Sequence, residues 1–342
     1  MPRLRHQLAR LMVQNGHEVT FVQKPLFIWQ KVSYKNTQEK DKGITLFQSK
    51  QLIHHQLRIS KFFQWINTSY EKGFLLKRFQ RVDSSVVIVN FNYDYIFLRD
   101  IFSNNRIITI LNDDFVAQCR LPFNGHMESS LKKVCEISDE VLTTSSIVKN
   151  KIADYVTAEV FLPWAERKYK FTERQSRDKI LIWGYITKRY DLNFLSAVIK
   201  ENSKYTFYFV GIVDKKIERE LEKICLSYEN IVVLGPKQLD ELPMDEFLAS
   251  LMLYVSGIDE IRSIVTTNKA FQLLSYGIPL ITSGMPYFMD SGSIFKCTSF
   301  EEVNQSIYQC ANRIDELQPD IEKLVSSNSK EKRLKQFMDL IE

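Results

Sequence analysis

The 342-residue sequence predicts an α/β fold made of two Rossmann-like domains facing a cleft. Two observations carry this expectation. Short, continuous apolar runs recur along the chain with helical stretches between them, as expected for strands buried on both faces in parallel sheets. The series also starts twice, on either side of a charged stretch, 166–178, that lacks apolar periodicity and reads as a linker. Residues 1–165 then form one domain and 179–315 a second, while 316–342 form a C-terminal helix able to cross back to the first.

In the first half, Leu4 through Gly16 is helical in pattern, with Leu4, Leu8, Leu11 and Met12 on one face. Gly16 ends it, and Glu18–Val22 follows as a strand. Open α/β domains place a strand ahead of such a helix. Here the sequence opens on the helix, so a first strand is expected to be missing, by truncation of the chain or of its assigned start. Residues 46–80 interleave bases with aromatics (among them Arg58, Lys61, Phe62 and Trp65) and read as an amphipathic helical stretch. Strands are expected at 86–90, 106–111, 140–145 and 160–165, the second running into the acidic pair Asp113–Asp114.

In the second half, strands are expected at 180–185, 206–211, 231–236, 251–255 and 279–282. Three of them turn at a glycine, namely Gly184, Gly211 and Gly235, where backbone can approach a ligand closely.

Several classes of protein lose their usual support. The five cysteines are scattered without a C-x-x-C pair, so neither a disulfide framework nor a zinc site is indicated, and no metal is expected. No apolar run reaches the ~18–20 residues that span a bilayer. No Walker loop, nucleophile elbow, H-E-x-x-H or G-x-G-x-x-G is present. The net charge of +5 is uneven: residues 1–81 hold fifteen Lys/Arg against four Asp/Glu, a net of +11, which leaves −6 for the remainder. The basic part is expected to face something anionic.

The most informative stretch is 266–281. Thr266 and Thr267 are cap residues at a helix start, Gly277 supplies a left-handed end, and Pro279 blocks continuation before a strand. Lys269 stands in the first turn, where the helix dipole prefers an acid. A cation there makes sense if an anion shares the site with the free backbone N–H groups.

The segment Asn268-Lys269-Ala270-Phe271-Gln272-Leu273-Leu274-Ser275-Tyr276-Gly277-Ile278-Pro279 resembles the nucleotide-sugar helix of the GT-B glycosyltransferases. Pro2, Arg5, Leu8, Ala9, Gly16, His17 and Val19 are similar to the opening helix of that family. Many retaining members carry a glutamate where Gln272 stands. The Lys-x-x-Gln version is similar instead to the xanthan-type glucuronosyltransferases and related polysaccharide-biosynthesis enzymes, which invert and associate with membranes.

The resemblance implies a metal-independent transfer of a sugar from a nucleotide-sugar, UDP-linked by preference, with no cofactor. Lys269 would neutralise the donor diphosphate, with Gln272, Asn268, Thr267 and Thr266 supplying further donors. Tyr254, at the end of the preceding strand, is either a phosphate or stacking contact or a core tyrosine. Gly184 and Gly211 mark loops near the nucleotide, and Glu260 and Arg262 are either donor contacts or solvated charges. Asp113 and Asp114 end a strand at the edge where ligands of open α/β sheets gather. Adjacent acids disfavour one another's ionisation, which suits one of them to act as base, while a helix-capping role is equally open.

The expected partners are the nucleotide-sugar, a lipid-linked saccharide acceptor and an anionic membrane surface met by Arg5, Arg58, Lys61, Phe62 and Trp65. Nucleic acid is not expected, because no recognised module accompanies the charge. The expected place is the cytoplasm, peripheral to the inner face of the cell membrane. A catalytically impaired binding protein on the same scaffold and a GT-B epimerase are the alternatives.

Overall fold

A computed structural model describes residues 3–30, 43–53, 61–79, 81–118, 124–165, 167, 177–258, 261, 267–285 and 288–341. The chain divides into two compact units. One comprises Pro2–Phe161 with Leu334–Glu342, the other Leu162–Arg333.

The N-terminal unit opens on helix α1 (Leu4–Gln14), whose leucine stripe is buried as the periodicity requires. Among the described residues no strand precedes it. β1 (Val19–Phe27) and β2 (Ile44–Gln51) pair in parallel as a sheet of their own. β2 corrects the helical reading of 46–80: Ile44–Gln51 is strand, and helix α2 (Lys61–Phe79) starts only later. Pairing to β1 decides the state of a segment whose own bases and aromatics suit either form.

A second parallel sheet has the order β3-β4-β5-β6, formed by Ile88–Asn90, Ile107–Leu111, Glu140–Thr143 and Ala158–Val160. Its strands alternate with α3 (Leu98–Ile101), α4 (Phe115–Gln118), α5 (Asn124–Glu136) and α6 (Ser146–Ile152). Every residue of β4 is buried, which explains its unbroken apolar run. β6 ends at Val160, earlier than the expected 160–165. Pro163 has no N–H to give a ladder, Trp164 is buried, and Ala165 belongs to the core of the other unit.

The second unit is a six-stranded parallel sheet of order β12-β11-β10-β7-β8-β9. Its strands are β7 (Lys179–Ile186), β8 (Thr206–Val213), β9 (Ile231–Leu234), β10 (Phe247–Leu253), β11 (Leu280–Ser283) and β12 (Ile294–Cys297). Among the described residues, helices α7 (Leu192–Glu201), α8 (Glu218–Ser227), α9 (Asn268–Ser275) and α10 (Phe300–Ser327) accompany it, and two apolar cores are built on the sheet. The strand order reverses between β7 and β10. In open α/β sheets a crevice opens at such a reversal, outside the carboxyl ends of the strands.

The last helix, α11 (Lys330–Ile341), belongs from Leu334 onward to the N-terminal unit. Phe337 packs on Phe161 with ring centroids 6.0 Å apart, and the Gln336 side-chain amide donates to the Val160 carbonyl at 3.0 Å.

Candidate functional site

The reversal point of the six-stranded sheet gathers side chains from three segments. β7 passes through Gly184 and leads to Arg189 and Tyr190. β10 ends beside Tyr254. α9 brings Lys269 and Gln272. Backbone bonds lock the first two segments together: Asp191 N–H donates to the Leu253 carbonyl at 3.0 Å and Val255 N–H to the Arg189 carbonyl at 2.8 Å. Tyr190 and Tyr254 form an antiparallel bridge across that junction, and their rings meet edge to face at 4.8 Å.

Helix α9 is almost wholly internal. Ala270, Phe271, Leu273 and Leu274 fill the core, and Gly277, at φ 70°, closes the helix. Thr267 is the cap, its hydroxyl accepting from the Ala270 N–H at 3.1 Å. Thr266 lies outside the described residues, as do Glu260 and Arg262.

Lys269 shares this burial, with 7% of its surface exposed. Its Nζ donates to the Tyr190 hydroxyl at 2.6 Å and stands 5.3 Å from the centre of the same ring. No carboxylate pairs with it among the described residues. Burial alone pulls the ammonium pKa down from 10.5 to about 7. The Tyr190 hydroxyl is pushed well above its ordinary value by burial and then by Tyr254. The Tyr254 hydroxyl is raised by burial, while its hydrogen bond with Tyr190 and the charge of Arg189 pull it back. One turn after Lys269, the Gln272 amide reaches the Trp164 carbonyl and the Asn268 side-chain oxygen, both at 3.4 Å.

The two glycines separate. Gly184 and Gly211 are register partners on β7 and β8. A Cβ on Gly211 would lie 1.8 Å from the Gly184 carbonyl oxygen, so close strand approach accounts for that glycine. Gly184 flanks the site itself, since a Cβ there would meet the Lys269 side chain at 3.5 Å.

The remaining expected residues belong to the N-terminal unit, and there the acidic pair is resolved. Asp114 is buried. One carboxylate oxygen accepts from the Ala117 N–H at 3.0 Å, at the start of α4, and the other is ion-paired with Lys151. Asp113 is exposed past the end of β4. Its carboxylate accepts from the Asn112 amide at 3.1 Å, and its carbonyl accepts from the Tyr93 hydroxyl at 2.7 Å.

Arg5, expected on an open basic face, is instead partly buried with its Nε enclosed. Burial, then the neighbouring Arg3, lowers its pKa. It sits on a helix whose leucines face inward, which draws its stem toward the interior. Phe62 and Trp65 are 63% and 65% exposed. Arg58 and the side chain of Lys61 lie outside the described residues.

Sequence reasoning passed over Tyr190 and Arg189. The available signal was Lys188-Arg189 directly after a strand carrying Gly184, two cations where that strand's carboxyl end must open.

No protein-family profile matches the chain, and no curated protein sequence matches it. Solved structures do. The chain is similar to the Anabaena protein HepE, whose structure holds UDP and glucose, at 10% identity over 98% of this chain and 94% of that one, TM-score 0.69. It is similar to WaaG, a glycosyltransferase involved in lipopolysaccharide biosynthesis, at 12% identity over 98% and 94%, TM-score 0.65. Similarity to TarM is 10% identity over 80% of this chain and 58% of that one, TM-score 0.57. The chain thus spans about three fifths of TarM and nearly all of HepE and WaaG. At these identities the likeness is one of fold, and the fold is the GT-B type with two Rossmann-like units.

Proposed function

We propose that this chain is a glycosyltransferase that moves a sugar from a nucleotide-sugar, UDP-linked by preference, to a lipid-linked or polysaccharide acceptor. The observation that carries the reading is Lys269, a buried amine with no carboxylate partner among the described residues, beneath the reversal point of a parallel sheet. Burying an unpaired ammonium destabilises the folded chain, and a diphosphate at the N-terminus of α9 would supply the missing counter-charge. HepE, of the same fold, was crystallised with UDP and glucose, which agrees with this reading.

The chemistry is a displacement at the anomeric carbon. The acceptor oxygen bonds to that carbon as the bond to the diphosphate oxygen breaks. The acceptor proton passes to a carboxylate, and the departing electron pair remains on the diphosphate, where Lys269 and the first N–H groups of α9 offset its charge.

Asp113 is assigned the proton. Asp114 already caps a helix and pairs with Lys151, so it holds the loop that presents Asp113. Gln272, an amide where retaining members have a carboxylate, favours the xanthan-type reading and inversion. No metal or cofactor is assigned. The acceptor places the protein in the cytoplasm, against the inner face of the cell membrane.

Asp114's structural role also favours the alternative of a binding protein on this scaffold. A thermal-shift and hydrolysis screen with UDP-, GDP- and dTDP-sugars separates the two. Transfer or slow hydrolysis of one UDP-sugar fits the enzyme, stabilisation without turnover fits the binding protein, and no response to any nucleotide would sink both.

A further inference from the structure

The turn that follows β4 is held at three successive residues by three neighbouring segments. Asn112 comes first. Its carbonyl accepts from the Thr144 hydroxyl at 3.1 Å, and the Thr144 N–H donates to the Leu111 carbonyl at 3.1 Å. Asp113 follows, its carbonyl accepting from the Tyr93 hydroxyl at 2.7 Å. Asp114 is third, tied through its carboxylate to the start of α4 and to Lys151 of α6. Tyr93, Thr144 and Lys151 stand 20 to 37 positions away in the chain from the residues they hold. Carbonyls past the end of a strand ordinarily turn to water. Here two in a row are taken by side chains that follow different strands, β3 and β5, which fixes the backbone of the turn.

Tyr93 is itself well anchored. It is buried, and its ring meets Phe115 edge to face with centroids 4.6 Å apart, so one side chain spans the acidic pair. The loop that carries it is closed by amides. The buried Asn90 donates to the Thr109 hydroxyl at 3.2 Å and to the Asn92 carbonyl at 3.1 Å. The Asn92 N–H donates back to the Asn90 side-chain oxygen at 2.9 Å, and the Asp94 N–H donates to that of Asn92 at 3.0 Å. Burial, and then the charges of Asp114 and Asp113, push the Tyr93 hydroxyl well above its ordinary pKa, so it remains a protonated donor.

We infer that Tyr93 is a positioning residue for the Asp113 carboxylate, with Thr144 as its counterpart one residue earlier in the turn. Asp113 lies in neither strand nor helix, so its exposed side chain takes its aim from the backbone beneath it. A base must come within hydrogen-bond reach of the proton it removes, and a misplacement of about 1 Å can cost roughly a hundredfold in rate. Two hydroxyls that hold the main chain at and before Asp113 fix that aim ahead of any acceptor. The inference rests on the proposed function for the role of Asp113, while the hydrogen bonds define the held turn without it.

The test uses the full chain with Tyr93→Phe and Thr144→Val, each of which deletes one hydroxyl. Turnover is read as UDP release from a panel of UDP-sugars with water as acceptor, and amide hydrogen exchange over 112–117 reads the turn itself. In Tyr93→Phe, turnover should fall about tenfold or more at an unchanged KM for the donor, and exchange over the turn should quicken. Thr144→Val should move both in the same direction by less, since it holds the residue before Asp113. Added to Asp113→Asn, Tyr93→Phe should cost no further turnover, because it acts through that carboxylate. A merely structural tyrosine would lower the melting temperature and leave the two losses additive. Wild-type turnover in Tyr93→Phe, additive losses in the double variant, or unchanged exchange in both single variants would overturn the inference. A wild-type chain that turns over no UDP-sugar would remove the proposed function instead, and exchange would still decide whether the two hydroxyls hold the turn. Should Tyr93→Phe fail to fold, Thr144→Val carries the same comparison alone.

Discussion

Helices α2 and α9 break the same rule in opposite directions. α9 takes a lysine into the interior and gives it a tyrosine hydroxyl but, among the described residues, no carboxylate. α2 keeps polar side chains inside and turns aromatics toward water. Neither choice lowers the free energy of the isolated chain, because an unpaired ammonium prefers water and exposed rings prefer burial. The difference lies in which kind of group each helix misplaces: α9 a charge, which the proposed diphosphate would meet, and α2 aromatic rings, left at the surface.

The largest expected effect breaks the first half of this comparison. Lys269→Met keeps most of the volume and removes the charge. UDP affinity should fall about a hundredfold or more, as when one partner of a buried charge pair is lost. The unliganded variant should nevertheless melt higher than wild type. The sign follows from linkage: the folded pKa, about 7, lies below the ordinary 10.5, so the unfolded chain binds more protons between those values. The penalty of the buried ammonium is therefore full below pH 7 and fades as pH rises toward 10.5. The variant's gain in melting temperature should be largest near pH 6 and shrink above pH 8. Equal melting at every pH would show that Lys269 is not strained in the free protein.

The acidic pair offers the next contrast. Asp113→Asn should lower turnover roughly 10²–10⁴-fold, the usual contribution of a general base, with donor affinity intact. Asp114→Ala should act mainly on stability, costing about 1–2 kcal/mol for the lost cap of α4, as read from urea melts. Two variants with equal turnover would remove the distinction between the carboxylates.

A smaller effect sharpens the account of Lys269. Tyr190→Phe removes the hydroxyl that receives the ammonium, which lowers its pKa further. The pH above which donor binding weakens should move down by less than one unit, with little loss of affinity at pH 6. An unmoved pH profile would make Tyr190 a packing residue only.

Much of the second unit is legible in the sequence. β10 and β11 read as continuous apolar runs because both faces of these strands are covered. β12 escaped because its four residues include a half-buried Phe295 and an exposed Lys296, too short and mixed for a periodicity signal. β2 escaped because interleaved bases and aromatics do not distinguish a strand from a helix, and only pairing with β1 does.

At the site, Lys269 was legible as a cation in a first helical turn. Its burial and its bond to Tyr190, 79 positions away in the chain, arise only when β7 and α9 meet at the sheet reversal. The acidic pair was legible as a pair. Which acid caps the helix is decided by the direction α4 takes after β4, which adjacency in sequence cannot encode.

The most direct test of the central claim, that Lys269 waits as a buried amine of lowered pKa for a diphosphate, is proton uptake on donor binding. Titration calorimetry with UDP-glucose, which has no group titrating near neutrality, can be run at pH 6 and pH 8 in buffers of different ionisation enthalpy. The account predicts uptake of about one proton per site at pH 8 and almost none at pH 6, and no uptake by any residual binding to Lys269→Met. Tight binding at pH 8 with no proton taken up would contradict it.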